Sequence, residues 1–442
     1  MQKLHPVDEM LPLGKLFTYG LQHVLAMYAG AVAVPLIIAN ALGLSKEQLI
    51  YLINADLFTC GIATIIQTIG FWNMGVKIPM IQGVTFAAVT PMIIIGKTHG
   101  LTGIYGSIIV AGLVTYLVSP YFSRLIRFFP PVVTGTIITI IGVTLMPVAV
   151  RWAGGGNPAA KDFASAPYIL LAFITLILVL FFYRFFTGFL SNIAVLLGLI
   201  AGTAIAGVFG MVNFSQVATA GWIGVTTPFA FGLPTFDLAS IAAMVLVMLV
   251  VMTETTGDCI AVGEIIDKPI TQQDLTRCLR ADGFSTILGG ILNSFPYTAF
   301  AQNVGLVGLT RVKSRFVVAA AGVILVVLGL FPKLAAVIAA IPVAVLGGAG
   351  VAMFGMVAAS GIKTLSRVQF DGTNNIMVVA VSIGVGMITL AVPNFYHNFP
   401  SWAQVILHSG ITAGSVTAIV LNIILNGTQE TAEIKIEKNH YL

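Results

Sequence analysis

Runs of about twenty consecutive apolar residues, one after another along nearly the whole chain, constrain this sequence more than anything else in it. A helix needs roughly 20 such residues to cross a bilayer. A backbone without water must satisfy its hydrogen bonds within the span, so helices are the answer such runs dictate. Charge is correspondingly scarce. Only 8% of the 442 residues are charged and 58% are hydrophobic, with a mean hydropathy of +1.00; a soluble domain carries about 25% charged residues. The chain reads as an all-α polytopic membrane protein, one helical bundle rather than the roughly three soluble domains its length would suggest. The opening residues MQKLHPVDEM lack the apolar core of a signal peptide, so the first span is expected to act as its own targeting signal. Cys60, Cys259 and Cys278 match no metal or redox spacing, and an odd number argues against a disulfide framework. No metal or cofactor is expected. The basic residues sit between spans rather than in runs interleaved with aromatics, so the formal charge of +5 bears on topology and not on nucleic acid.

Breaking the chain at Pro, Gly and charge gives fourteen apolar stretches: 16–42, 48–72, 78–96, 101–121, 129–150, 166–184, 189–212, 237–263, 282–294, 296–310, 316–331, 334–358, 374–393 and 402–425. Three are irregular. The stretch 282–294 is weak, 296–310 is interrupted by polar residues, and 78–96 opens on Ile78-Pro79. An even count puts both ends on one side, and the basic residues then divide 16 against 5, which accounts for all 21. Such a bias marks the cytoplasmic side. The expected organisation is a cytoplasmic segment 1–15, a transmembrane domain 16–425 and a polar cytoplasmic tail 426–442.

The two halves echo each other. IPMIQGVTFAAVTP (78–91) and FPYTAFAQNVGLVG (295–308) both begin with an apolar-Pro pair and run into small and polar residues. FPPVVTG (129–135) and IPVAVLG (341–347) share Pro, Val and Gly at equal spacing. The offsets, 217 and 212 residues, are close to half the chain. With an odd number of spans in each half, the second copy is inverted, giving repeats over about 16–212 and 237–425. Inverted repeats interrupted at matching places point to a secondary transporter whose site lies at the bilayer midplane. The two broken segments would cross there, with Thr85, Thr298, Gln302 and Asn303 lining the crossing and helix N-termini facing a polar ligand.

The polar residues inside the spans narrow the chemistry. In VMTETTGDCIAVGE, Glu254 and Asp258 stand four apart on one helix face. An intramembrane acid is costly to bury unless it is paired or used, which makes Glu254 the leading functional residue and Asp258 either a second one or the partner that orients it. Glu264 falls at the span end, where a solvated position is expected. His23 reads as a satisfied structural residue, a cross-helix hydrogen-bonding group or a proton shuttle. Asp56 reads as structural, and Asp282 as a helix cap at a cytoplasmic boundary. Phe86 is either packing or a stacking surface for a flat ligand. The amides of Gln302 and Asn303 offer paired donors and acceptors that match a heterocycle edge carrying both C=O and N–H.

Together these stretches resemble the nucleobase–ascorbate transporter family. QNVGLVGLT (302–310) is similar to its Gln/Glu-Asn-x-Gly-x4-Thr signature, and LQHVLAMYAG (21–30), TETTGD (253–258) and ADG (281–283) also match, spread nearly end to end. The resemblance implies fourteen transmembrane segments in two inverted seven-span repeats. It also implies short strands in spans 3 and 10, a core domain, and a gate domain of spans five to seven and twelve to fourteen. By position in the motifs, Glu254 looks like the substrate-binding glutamate and Gln302 like the residue at the opposite ring edge. Phe86 looks like the stacking aromatic, with Thr85 and the backbone near Ala301 alongside; His23, Asp258, Asp282 and Asn303 match supporting positions. Gln302 and Asp258 resemble the purine branch, whereas uracil carriers have Glu and His there. Thr85 departs from the Asn of some xanthine permeases and is similar to urate permeases. Arg311 stands where some members have Gly. The implied activity is import of xanthine, urate or both by cation symport, with a proton favoured and sodium open, and the implied assembly is a homodimer. The competing classes are a uracil-type or other nucleobase permease, an anion exchanger or channel on a related fold, and an intramembrane enzyme, for which no nucleophile–base or metal spacing is found.

Overall fold

The computed structural model describes residues 5–122 and 128–427. Most of the predicted tail, 428–442, therefore lies outside the described residues, as do Lys3, Arg124, Arg127, Lys435 and Lys438 of the charge count.

The first half comprises α1 (Leu13–Leu42), α2 (Lys46–Ile69), β1 (Gln82–Val84), α3 (Val89–Val118), α4 (Pro131–Ala153), α5 (Ala166–Phe185) and α6 (Ala194–Val208). The second comprises α7 (Leu238–Ile265), α8 (Gln272–Ile291), β2 (Tyr297–Ala299), α9 (Ala301–Thr310), α10 (Arg315–Gly329), α11 (Pro332–Ala339), α12 (Val343–Leu365), α13 (Asn375–Ala391) and α14 (Gly410–Asn426). Short helical turns also occur between several of these. Among the described residues, seven helices are long and apolar enough to cross a membrane, or eight if α10 and α11, bent by 81° at their junction, count as one broken span. Three shorter apolar helices, α6, α13 and α14, accompany them. The protein is thus a mostly helical, multi-pass membrane protein.

Local chemistry explains where elements start and stop; it bears out one break read from hydropathy and corrects two boundaries. The break expected between the stretches 78–96 and 101–121 falls at Gly100, where α3 is kinked into two helices. There φ is 69° and ψ −173°, a conformation that glycine adopts freely and that ends helical hydrogen bonding. The weak stretch 282–294 is the second part of α8, which begins ten residues earlier because Thr271 and Asp274 form a capping box. Asp282 is consequently no cap; it lies in the middle of α8, fully buried. Apolarity alone could not show this, since the first two turns of α8 are polar. Finally, 334–358 straddles α11 and α12, divided before Val343 at Pro342, which has no N–H with which to continue a helix.

Small residues set the helix packing, as expected where lipid is as apolar as the side chains. Gly61 of α2 faces Gly322 of α10 so closely that a Cβ on Gly61 would sit 2.5 Å from the Gly322 carbonyl oxygen. On the other side of the molecule, α4 lies along α12 with Gly142 against Ala358 and Gly361 against Thr139. These two helices open on the echoed FPPVVTG and IPVAVLG motifs, each just after a proline.

Candidate substrate site

The two echoed broken segments meet. β1 and β2 pair antiparallel, with Gln82 opposite Ala299, Gly83 opposite Thr298 and Val84 opposite Tyr297. Thr85 N donates to Pro296 O (2.9 Å) and Phe300 N to Ile81 O (3.2 Å), extending the pairing at both ends. Each strand runs directly into helix, β1 through a turn at Phe86–Ala88 into α3 and β2 into α9. Glycine is required at the centre: a Cβ on Gly83 would lie 2.3 Å from the Phe300 ring, and one on Gly30 of α1 2.9 Å from the same ring.

Four helices hold this crossing, among them α8, whose Thr286 Oγ1 accepts from Tyr297 N (3.1 Å). From α2, Thr64 Oγ1 accepts from Gln82 N (3.0 Å), and Cys60 Sγ donates to Gln82 O (2.7 Å). Also from α2, the Asp56 carboxylate accepts from Ser294 Oγ (3.1 Å) and Tyr297 Oη (3.0 Å). From α7, Thr255 Oγ1 bonds Thr298 Oγ1 (3.2 Å) and accepts from Ala299 N (3.3 Å). From α1, His23 accepts two bonds from Asn303 Nδ2, at Nδ1 (3.1 Å) and at its carbonyl oxygen (2.9 Å). The expectation that Asp56 is structural agrees with these contacts, and they say what it fixes, namely β2. Thr298 and Asn303, expected to line the crossing, are bonded to Thr255 and His23 and help hold it together.

The residues singled out for substrate stand differently. Glu254 and Asp258 lie one turn apart on α7, both half-buried. Among the described residues, neither carboxylate has a hydrogen bond to the protein. Asp258 is close enough to feel both Glu254 and Asp282, and Asp282 is flanked by Thr255 and Gln82. Ala301 and Gln302 open α9 and are exposed, and the Gln302 amide likewise has no protein partner among the described residues. Thr85 is buried, and its hydroxyl oxygen accepts from Ala87 N (3.1 Å), starting the turn that carries Phe86. Phe86 is half-buried and meets Phe354 of α12 edge-on, ring centroids 5.9 Å apart. Glu264 is exposed in the last turn of α7, as expected for a solvated position.

Sequence reasoning passed over Gln82, Thr255, Tyr297 and Phe300. Gln82 had a signal, being a buried amide in the same echoed segment as Thr85, and neither of its side-chain polar atoms finds a partner. Thr255 lies inside the quoted TETTGD but was overshadowed by the acids on either side. Tyr297 and Phe300 read as ordinary apolar residues, because their roles depend on partners from α1 and α2 that periodicity does not reveal.

Apolar helices around a buried strand pair, with a free carboxylate and a free amide beside it, define a membrane transport protein rather than an enzyme. The solved structures that share the fold are transporters. The transmembrane domain of a cyanobacterial bicarbonate transporter superposes with a TM-score of 0.64 at 16% identity, covering 93% of this chain and all of that one. The SLC26A9 structure gives 0.59 at 12% identity, covering 94% and 66%. The sequence relatives are far nearer. A uric acid transporter of Escherichia coli is 47% identical over 434 residues, 97% of this chain and 89% of the relative. A xanthine permease of Bacillus subtilis is 47% identical over 424 residues, 96% and 97%. A nucleobase transporter of Paenibacillus larvae is 48% identical over 410 residues, 93% and 94%. The profile of the Permease family matches residues 14–395, and the chain belongs to that family, in agreement with the motif resemblance.

Proposed function

We propose that this permease imports purine nucleobases, xanthine or urate or both, by symport with a cation, a proton in the first instance. The observation that carries the reading is the pairing of unpartnered groups at the crossing: Glu254 on α7 and Gln302 at the start of α9, with Phe86 at the end of β1. A flat ring bearing alternating C=O and N–H groups can use both. Glu254 would accept from ring N–H groups, Gln302 would donate to and accept from the opposite edge, and Phe86 would cover one face. Backbone N–H groups near Phe86 and Ala301 would add donors, and Thr85 would shape that wall. His23, Asp258, Asp282 and Asn303 would support and couple the site, Asn303 through His23. The relatives named as uric acid and xanthine permeases support this choice of substrate.

The proposed architecture has fourteen spans in two inverted repeats, about 16–212 and 237–425, with β1 and β2 in spans 3 and 10. Support comes from the strand pairing and from the echoed motifs that open α4 and α12. The core would hold the crossing, and α4 to α6 with α12 to α14 would form the gate and a homodimer contact, both ends facing the cytoplasm. The test is uptake of radiolabelled xanthine and urate by cells expressing the chain, in competition with uracil, hypoxanthine and guanine. Saturable uptake of a purine, insensitive to uracil, is the expected result; uptake blocked by uracil alone, or uptake of neither purine, contradicts the reading.

A further inference from the structure

A cavity with several polar side chains in its wall lies at the end of the molecule where α1 finishes. It encloses about 1160 Å³ and runs between α1 and α3 on one side and α4 and α13 on the other. Its wall includes Thr90, one turn beyond Phe86, the ring that meets Phe354 edge-on. Its volume exceeds the roughly 300–1,000 Å³ of a typical small-molecule pocket.

The charged and titratable groups of this wall are Lys97, His99, Arg151, Asp237 and His408. Asp237 is engaged: its carboxylate accepts from Ser240 N (2.8 Å) and Ser240 Oγ (2.7 Å), capping α7, and lies 3.8 Å from His99 Nε2. Lys97, within α3, and Arg151, in the last turn of α4, are exposed and have no ion pair among the described residues. His408 Nε2 is buried without a partner. Two free cations, Lys97 and Arg151, against the one engaged carboxylate of Asp237 give the cavity a positive bias, and walls of low dielectric concentrate such a field.

We propose that this cavity is an outer vestibule that captures the anionic form of a purine, Lys97 and Arg151 attracting it before it reaches the crossing. The inference rests on the purine-permease reading and adds a preference within it. Urate carries a negative charge at neutral pH, whereas xanthine is largely neutral under mildly acidic conditions. The vestibule therefore favours urate through the rate of capture, while Glu254 and Gln302 read the ring edges the two purines share. Attraction by exposed charges acts over a Debye length of about 10 Å at 0.1 M salt, so it weakens as salt is added.

The test is initial-rate uptake by the full-length protein in proteoliposomes, at mildly acidic pH, with urate and xanthine measured separately at low and high salt. Lys97→Gln with Arg151→Gln should raise the KM for urate by about threefold to tenfold at low salt, with Vmax kept and the xanthine KM within about twofold. High salt should bring the KM of the parent up to that of the variant, and Lys97→Arg with Arg151→Lys should behave as the parent. If the double variant fails to reach the membrane, each single variant should show a smaller shift of the same kind. Equal shifts for both purines, or shifts that ignore salt, overturn the proposal. A parent that carries xanthine but not urate overturns it and leaves the purine reading standing. A parent that carries neither overturns both.

Discussion

The segments 78–91 and 295–308 are alike in backbone and unlike in chemistry. Each brings a proline, a three-residue strand and a helix to the same place, and the strands pair with each other. Along the first, Gln82 is bonded through its backbone to Thr64 and Cys60 and Thr85 caps its own turn, while the Gln82 side-chain amide is buried without a partner. Along the second, Asn303 is tied to His23, but its neighbour Gln302 is exposed and free. The echo therefore builds a scaffold twice and leaves one free amide in each copy, buried at Gln82 and exposed at Gln302. A buried polar group lacking a partner costs about 1–3 kcal/mol, so the Gln82 amide and the half-buried Glu254 point to a ligand that completes them.

The largest expected effect tests whether the free side of the crossing is where binding happens. Glu254→Gln exchanges a carboxyl group for an amide that is half donor and cannot ionise. A hydrogen bond to a charged group contributes about 1.5–3 kcal/mol, which is roughly one to two decades in affinity. Uptake should fall below detection while the protein still reaches the membrane, as judged by its yield and gel-filtration profile. Near-normal uptake would remove Glu254 from the site. Next comes the scaffold. Gly83→Val puts side-chain atoms where the Phe300 ring already stands, and overpacking of this kind costs about 1–3 kcal/mol. Its signature should be a lower melting temperature together with lost transport, in contrast to Glu254→Gln, which should melt as the parent does. If Gly83→Val melts normally, the crossing tolerates more than its geometry implies.

Asn303→Ser shortens the side chain that spans from α9 to α1. It should change turnover or the ranking of competing purines more than affinity, since Asn303 fixes the angle of α9 and does not present a free donor to the site. An inhibition constant raised as far as by a change at Gln302 would make the two amides equivalent and erase the contrast. The smallest effect is expected at Arg311, which ends α9 with φ of 56°, in the left-handed region. That conformation costs a residue with a side chain about 1–2 kcal/mol, a cost glycine escapes. Arg311→Gly should raise the melting temperature slightly with purine affinity unchanged.

Much of this was legible before any coordinates, and the limits were physical. Helical spans follow from apolar runs because lipid leaves the backbone no other partner, so the transmembrane elements were readable. The crossing was readable because prolines and small residues recur at half-chain spacing. Glu254 and Gln302 stood out as polar groups in apolar surroundings. Asp282 was misplaced because a polar stretch was taken for a loop, when it is the first part of α8, held by the cap at Thr271. The contacts of Asp56 with Ser294 and Tyr297 join residues about 240 apart in the chain, which no local pattern encodes. The vestibule was hidden for the same reason: Lys97 and Arg151 read as loop charges until α3 and α4 bring them to one cavity.

The contrast between the two segments is tested most directly by the affinity of the purified protein for xanthine and urate, measured on the parent and on Gln302→Glu. The substitution deletes a donor and adds a potential charge at the free end of the crossing without touching the strand pairing. A donor lost against a buried ring edge costs about 1–3 kcal/mol, so affinity for both purines should fall by roughly one to two decades while the melting temperature stays put. If Gln302→Glu binds both purines as tightly as the parent, the amide does not read the ring, and the pair Gln302-Asn303 is packing around a broken helix.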